Sequence, residues 1–125
     1  MRLWHQALIP QLPRQQLLGQ HRECAALRGK GWGKAHATVN YVFNYSPYTL
    51  YQYHCLVMQE MQHRGYQPNP LWFNPLYRGQ HLPAHTHLTP VTPRQPLYPE
   101  HNADYLAECL DNLVTKGIQL SLQDS

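Results

Sequence analysis

Eight of the eleven prolines fall between Pro68 and Pro99. Proline removes a backbone donor and clashes with the preceding turn, so neither a long helix nor a central strand can run through this stretch. Long helices and central strands are therefore confined to the residues before it and after it. Trp72, Phe73, Tyr77 and Tyr98 make the stretch too aromatic for a plain linker. It is expected to be a long ordered loop wrapped on helices, with a short helix near residues 71–77.

Three helices are predicted around that loop. In residues 14–28, Leu17, Leu18, His21, Cys24 and Ala25 recur at helical spacings and share one arc. Ser46-Pro47 is a helix start, with Ser46 as N-cap and Pro47 in the first turn; the helix runs to about Arg64 and Gly65 caps it. Leu50, Tyr53, His54, Val57 and Met61 form its buried stripe, with His54 as a hydrogen-bonded core histidine. Residues 103–116 give the last helix, with Asn102 as N-cap, Gly117 as its end, and Leu106, Leu110, Leu113 and Val114 on one face. Residues 36–45 fit a short strand or a helix, and periodicity does not decide between them. A chain of 125 residues supports one modest core. The expected fold is mostly α, a compact single-domain three-helix protein spanning residues 1–125.

The chemistry-bearing groups lie near the first helix. Gln16 and Glu23 are two turns apart and sit together, away from the apolar arc. Gly19 and Ala26 flank them, and Arg22 stands beside Glu23. On many helices such a pair is only solvated surface. Met1-Arg2-Leu3-Trp4, however, lies close enough in sequence to fold back onto this helix. An α-amine titrates at about 7.7–8.0, and a nearby cation or desolvation enlarges its neutral fraction at pH 7. A neutral amine beside a positioned carboxylate is equipment for Schiff-base chemistry.

Met1-Arg2-Leu3, a spacer, and then Gln16-Leu17-Leu18-Gly19-Gln20-His21-Arg22-Glu23 resemble the opening of the pyrimidine-dimer DNA glycosylase, or phage endonuclease V-like, family. Gly33-Lys34-Ala35-His36-Ala37-Thr38-Val39 resembles a Gly-His-hydrophobic segment of the same family. The likeness thins after Gly79. It implies a compact α protein that cuts the glycosidic bond of damaged pyrimidines and nicks the abasic site, acting on double-stranded DNA as a monomer without a cofactor. In the phage proteins a threonine exposed by loss of the initiator supplies the amine. Here the bulky Arg2 preserves Met1, so Met1 would supply it and Glu23 would be the catalytic carboxylate. Arg22 would hold a phosphate or a flipped nucleotide, Gln16 would make a polar contact, and His36 would line the site. Arg14, Arg28, Lys30 and Lys34 would contact the DNA backbone, and Trp32 or Tyr41 would stack on an exposed base. The family's basic, aromatic C-terminal segment has no counterpart in residues 117–125.

Composition permits this reading without establishing it. Net charge is +3 and the pI about 8.8, which favours an anionic partner only mildly. The three cysteines are far apart and form no CxxC pair, which argues against a disulfide framework or zinc ribbon. No apolar run is long enough for a membrane span, and Gln6, Pro10, Gln11 and Pro13 interrupt any signal-peptide core, so a cytoplasmic, nucleoid-associated protein is expected. Gly29-Lys30-Gly31-Trp32-Gly33-Lys34 lacks the Walker spacing of a nucleotide loop. His81, His85 and His87 cluster without companion ligands, so no metal is expected there. Two rival functions stay open: a non-catalytic DNA- or RNA-binding protein, and a hydrolase using those three histidines.

Overall fold

The computed structural model describes residues 2–31 and 39–120, Lys30 and Gly31 in backbone only. Three α-helices carry the fold: α1, Arg14–Ala26; α2, Pro47–His63; and α3, Ala103–Thr115. Short 3-10 turns occupy Gln6–Gln11, Asn40–Asn44 and Pro70–Phe73. No strand occurs among the described residues, so the protein is mostly α. The 3-10 turn Asn40–Asn44 answers for residues 40–44 the choice that periodicity left open.

The helix boundaries follow from local chemistry. The Ser46 hydroxyl accepts from the Tyr48 N–H at 3.1 Å, and the Asn102 side chain accepts from the Tyr105 N–H at 2.9 Å. Gly65 and Gly117 end α2 and α3 at φ +89° and +77°, where an L side chain is strained. In both cases the next residue's N–H reaches back, Tyr66 to Met61 and Ile118 to Leu113, and satisfies an orphan carbonyl. α1 ends differently. Leu27–Gly31 widens into a π-type turn that breaks at Gly29 (φ −81°, ψ −105°).

α1 packs on α2, and the stripe Leu50, Tyr53, His54, Val57, Met61 is buried as its spacing predicts. On α1 the buried arc is rotated from the expected one. Leu17 and Cys24 are buried, but Leu18, His21 and Ala25 are only half-buried, and Gly19, Gln20 and Leu27 are buried in their stead. The arc turns because α1 also covers the N-terminal segment, which Gln20 holds. On α3, Cys109 and Leu113 are buried while Val114 is 51 % exposed, since it stands a residue past the packed arc. The proline-rich stretch is laid over α2. The Tyr51 hydroxyl donates to the Phe73 carbonyl at 2.9 Å, and Gln52 Nε2 donates to the Val91 carbonyl at 2.5 Å. Its one regular turn is Pro70–Phe73, shorter than the helix expected near residues 71–77. No described helix is long and apolar enough to cross a membrane.

Candidate DNA-lesion site

The residues before α1 determine what lies beside it. Arg2, Leu3 and Trp4 form neither helix nor strand, and side chains from all three helices bond their backbone groups. Gln20 of α1 is 1 % exposed; its Oε1 accepts from the Trp4 N–H at 2.6 Å and its Nε2 donates to the Arg2 carbonyl at 3.1 Å. The Tyr53 hydroxyl of α2 donates to the Trp4 carbonyl at 2.5 Å and lies 2.9 Å from Gln20 Oε1. The Tyr105 hydroxyl of α3 donates to the Leu3 carbonyl at 2.5 Å. Burial raises the pKa of both phenols, which keeps them protonated and able to donate.

This arrangement opens a cleft of about 590 Å³ between the start of the chain, α1 and α3, lined by Arg2, Trp4, Gln15, Gln16, Gly19, Arg22, Asn112 and Lys116. Three cations face it, and Gln15, Gln16 and Asn112 bring amides that both donate and accept. Arg2 is held at its edge by Glu108, 3.7 Å away, and by the Trp4 ring, 5.8 Å from its guanidinium carbon. Gly19 leaves the helix surface open: a methyl group there would meet only Arg22 Nη2, at 3.6 Å. A cleft with this charge and these amides suits a phosphate-bearing ligand with polar base edges.

Gln16 and Arg22, two of the expected site residues, line this cleft together. Glu23 is half-exposed on α1, next to Arg22 in sequence. Among the described residues no ion pair reaches its carboxylate. Arg14 is exposed, its guanidinium 5.9 Å from the Tyr66 ring. Met1, Trp32, Lys34 and His36 lie outside the described residues, as does the Lys30 side chain.

Two expectations are corrected by the partners these side chains hold inside the fold. Arg28, expected on the DNA backbone, is 7 % exposed and turned inward. It donates to the Trp72, Asn74 and Tyr77 carbonyls at 2.8, 2.9 and 3.3 Å and to His54 Nδ1 at 2.9 Å, and it stacks on Tyr51 and Trp72. Because guanidinium only donates, His54 Nδ1 must accept, so His54 carries its proton on Nε2 and passes it to His21 Nδ1 at 2.8 Å. Burial first, and then the Arg28 charge, hold the His54 pKa well below its ordinary value. Tyr41, expected to stack on a base, packs edge-on against Tyr98 and bonds His101 Nε2 at 2.7 Å. Among the described residues no three His, Cys, Asp or Glu side chains gather as a metal site. His81 and His87 are exposed and His85 is half-buried.

Sequence reasoning did not single out Gln20, Tyr53 and Tyr105 as partners of the N-terminal segment, nor Asn112 and Lys116 as a wall of the cleft. The last two carry no sequence signal, because α3 meets α1 only through the tertiary fold.

The site is a cationic, amide-lined cleft beside the N-terminal segment of an α-helical protein. Comparison with known proteins places the chain in a family. The family model described as pyrimidine dimer DNA glycosylase matches residues 1–74, more than half of the chain, and the protein belongs to that family. No curated protein and no solved structure gives a significant match.

Proposed function

We propose that this protein excises damaged pyrimidines from double-stranded DNA and then nicks the resulting abasic site as an AP lyase. The observation that carries the reading is the cleft in which Arg2, Gln16, Gly19 and Arg22 meet beside the held N-terminal segment. Membership of the family supports the glycosylase half of the reading. The nucleophile proposed is the Met1 α-amine.

The reaction runs as follows. The neutral amine attacks C1′ of the damaged nucleotide, and the C1′–N bond breaks with its electron pair leaving on the base, which takes up a proton. The amine loses a proton, the sugar ring opens as O4′ is protonated, and a protonated imine forms at C1′. The imine acidifies the C2′ proton. Its removal sends electrons into the new double bond and expels the 3′ phosphate with the C3′–O pair. Water then hydrolyses the imine and restores the amine. Glu23 is the group assigned to stabilise the developing positive charge and to carry protons. Arg22 and Arg2 grip flanking phosphates through charge-assisted hydrogen bonds, and Gln16 contacts the sugar or base. No cofactor enters this scheme. The protein acts as a monomer on a damaged or abasic duplex, in the cytoplasm with the nucleoid.

The test is borohydride trapping on duplexes carrying a thymine dimer or an abasic site. A stable protein–DNA adduct is expected, with its mass on the Met1 peptide. Glu23→Gln keeps the shape and removes the charge, so turnover should fall by about two orders of magnitude or more while DNA affinity holds. Full activity with an acetylated terminus, an adduct on Lys34, or full turnover in Glu23→Gln would overturn these assignments.

A further inference from the structure

We propose that Gln20, Tyr53 and Tyr105 form a register clamp: positioning residues, one from each helix, that hold Arg2–Trp4 so that the amine one residue earlier meets the damaged sugar. The proposal rests on the amine reading above and adds to it the groups that aim the nucleophile.

The segment lies outside helix and strand, so its backbone groups must find their partners elsewhere. Four of the five successive backbone groups from the Arg2 carbonyl to the Trp4 carbonyl, all but the Leu3 N–H, are bonded by three side chains. Gln20 bonds on both sides of Leu3, accepting from one residue and donating to another. A slip of one residue would bring the next residue's backbone groups to these three side chains and carry every side chain of the segment one place along. Leu3, fully buried, would be driven out, and Arg2 would lose its place at the cleft. Because the three groups come from three different helices, the whole tertiary fold fixes the register.

Precision of this kind has a chemical use. Nucleophilic attack needs the reacting atoms about 3–3.5 Å apart, and a misplacement of about 1 Å costs on the order of a hundredfold in rate. An α-amine has no side-chain rotamer to correct an error. Consecutive Cα atoms are only about 3.8 Å apart, so a hold on residues 2–4 would limit the reach of an amine one residue earlier. Gln20 and Tyr53 are buried and Tyr105 is half-buried, and all three would act only through the segment.

The test compares single-turnover borohydride trapping at saturating protein, on an abasic duplex, with the DNA Kd measured separately. The starting residue of each variant is verified by intact mass. Gln20→Met keeps the length and removes both hydrogen bonds; Tyr105→Phe keeps the ring and removes one. Trapping should slow about a hundredfold in the first and about tenfold in the second, with Kd within about twofold of wild type. Met61→Ala, a core truncation at the far end of α2, serves as a control for lost stability and should trap at the wild-type rate. Should Gln20→Met not fold, the milder Tyr105→Phe still decides. Wild-type trapping with clamp variants equally fast, or slowed only as much as Met61→Ala, would overturn the clamp and leave the enzymatic reading intact. No adduct in the wild type would overturn both.

Discussion

Arg22 and Arg28 stand six residues apart on one helical run and are put to opposite uses. Arg22 lies exposed over Gly19 at the mouth of the cleft. Arg28 lies 7 % exposed, its donors taken by three main-chain carbonyls and an imidazole. No carboxylate shares Arg28's site among the described residues, so its desolvation is offset by backbone dipoles and by the aromatic faces of Tyr51 and Trp72. The difference teaches that a cation's role here is set by the acceptors that reach it. The proline-rich stretch, unable to bond its own carbonyls in regular structure, turns three of them onto Arg28. At Arg22 the cleft lacks such a covering and leaves the charge open to an outside anion.

The largest effect that would sharpen this contrast is on stability. Arg28→Ala removes donors from three carbonyls and from His54 Nδ1, and it leaves a void between Tyr51 and Trp72. Its cost should be about 3–5 kcal/mol, the range for an uncompensated buried polar cluster. The melting temperature should fall by roughly 10 °C or more, and proteolysis should open residues 66–80 first. A loss below about 1 kcal/mol in urea unfolding would break the comparison, because Arg28 would then be no anchor.

Acid should act on the buried side of the molecule in the same way. His54 beside Arg28 and His21 is held well below its ordinary pKa by burial, and His101, packed among His5, Tyr41 and Tyr105, is lowered to about 3. Both are neutral in the folded state, whereas the unfolded chain takes up protons below about 6.5. The unfolded state therefore binds more protons between pH 6.5 and about 3, and stability falls as pH falls through that window. Each histidine contributes about 1.4 kcal/mol per pH unit. Urea unfolding at pH 7.5, 6 and 5 should give a steepening loss, and His101→Asn should flatten the slope by about one proton. Equal stability at pH 7.5 and pH 5 would contradict neutral burial of these rings.

Why these features were unevenly legible in the sequence is physical. Ser46-Pro47, Asn102, Gly65 and Gly117 mark helix ends because capping is decided within a few residues. The α2 stripe was legible because its buried residues share one face at helical spacing, whichever elements cover them. α1 misled because it has two partners, α2 and the N-terminal segment, and the second buries a glutamine. A buried Gln20 cannot be told from a surface glutamine by spacing; only the backbone groups it bonds distinguish it. Gln16 and Arg22 stand out through their likeness to a family helix, and both line one cleft. Arg28 and Tyr41 were misjudged because a cation and an aromatic near a basic loop look like nucleic-acid contacts. Their partners, at Trp72, Asn74, Tyr77 and His101, lie 44 or more residues along the chain.

The smallest effect falls on Arg22, and it discriminates best. Arg22→Gln keeps a polar side chain over Gly19 and removes one exposed charge with no ion pair among the described residues. Stability should change by no more than about 0.5 kcal/mol, as for other surface substitutions away from caps and cores. DNA affinity should weaken several-fold at low salt, uniformly across sequences, because a phosphate contact carries no base information. The diagnostic quantity is the salt dependence. Each neutralised phosphate contributes roughly 0.9 to the slope of log K against log salt, so the variant's slope should be shallower by about one unit. Arg28→Ala, assayed at a temperature where it is still folded, should keep the wild-type slope, since its charge faces inward. An unchanged slope in Arg22→Gln would move the DNA interface off this face of α1. A reduced slope in Arg28→Ala would mean that the buried guanidinium reaches phosphate, and the two arginines would no longer differ in kind.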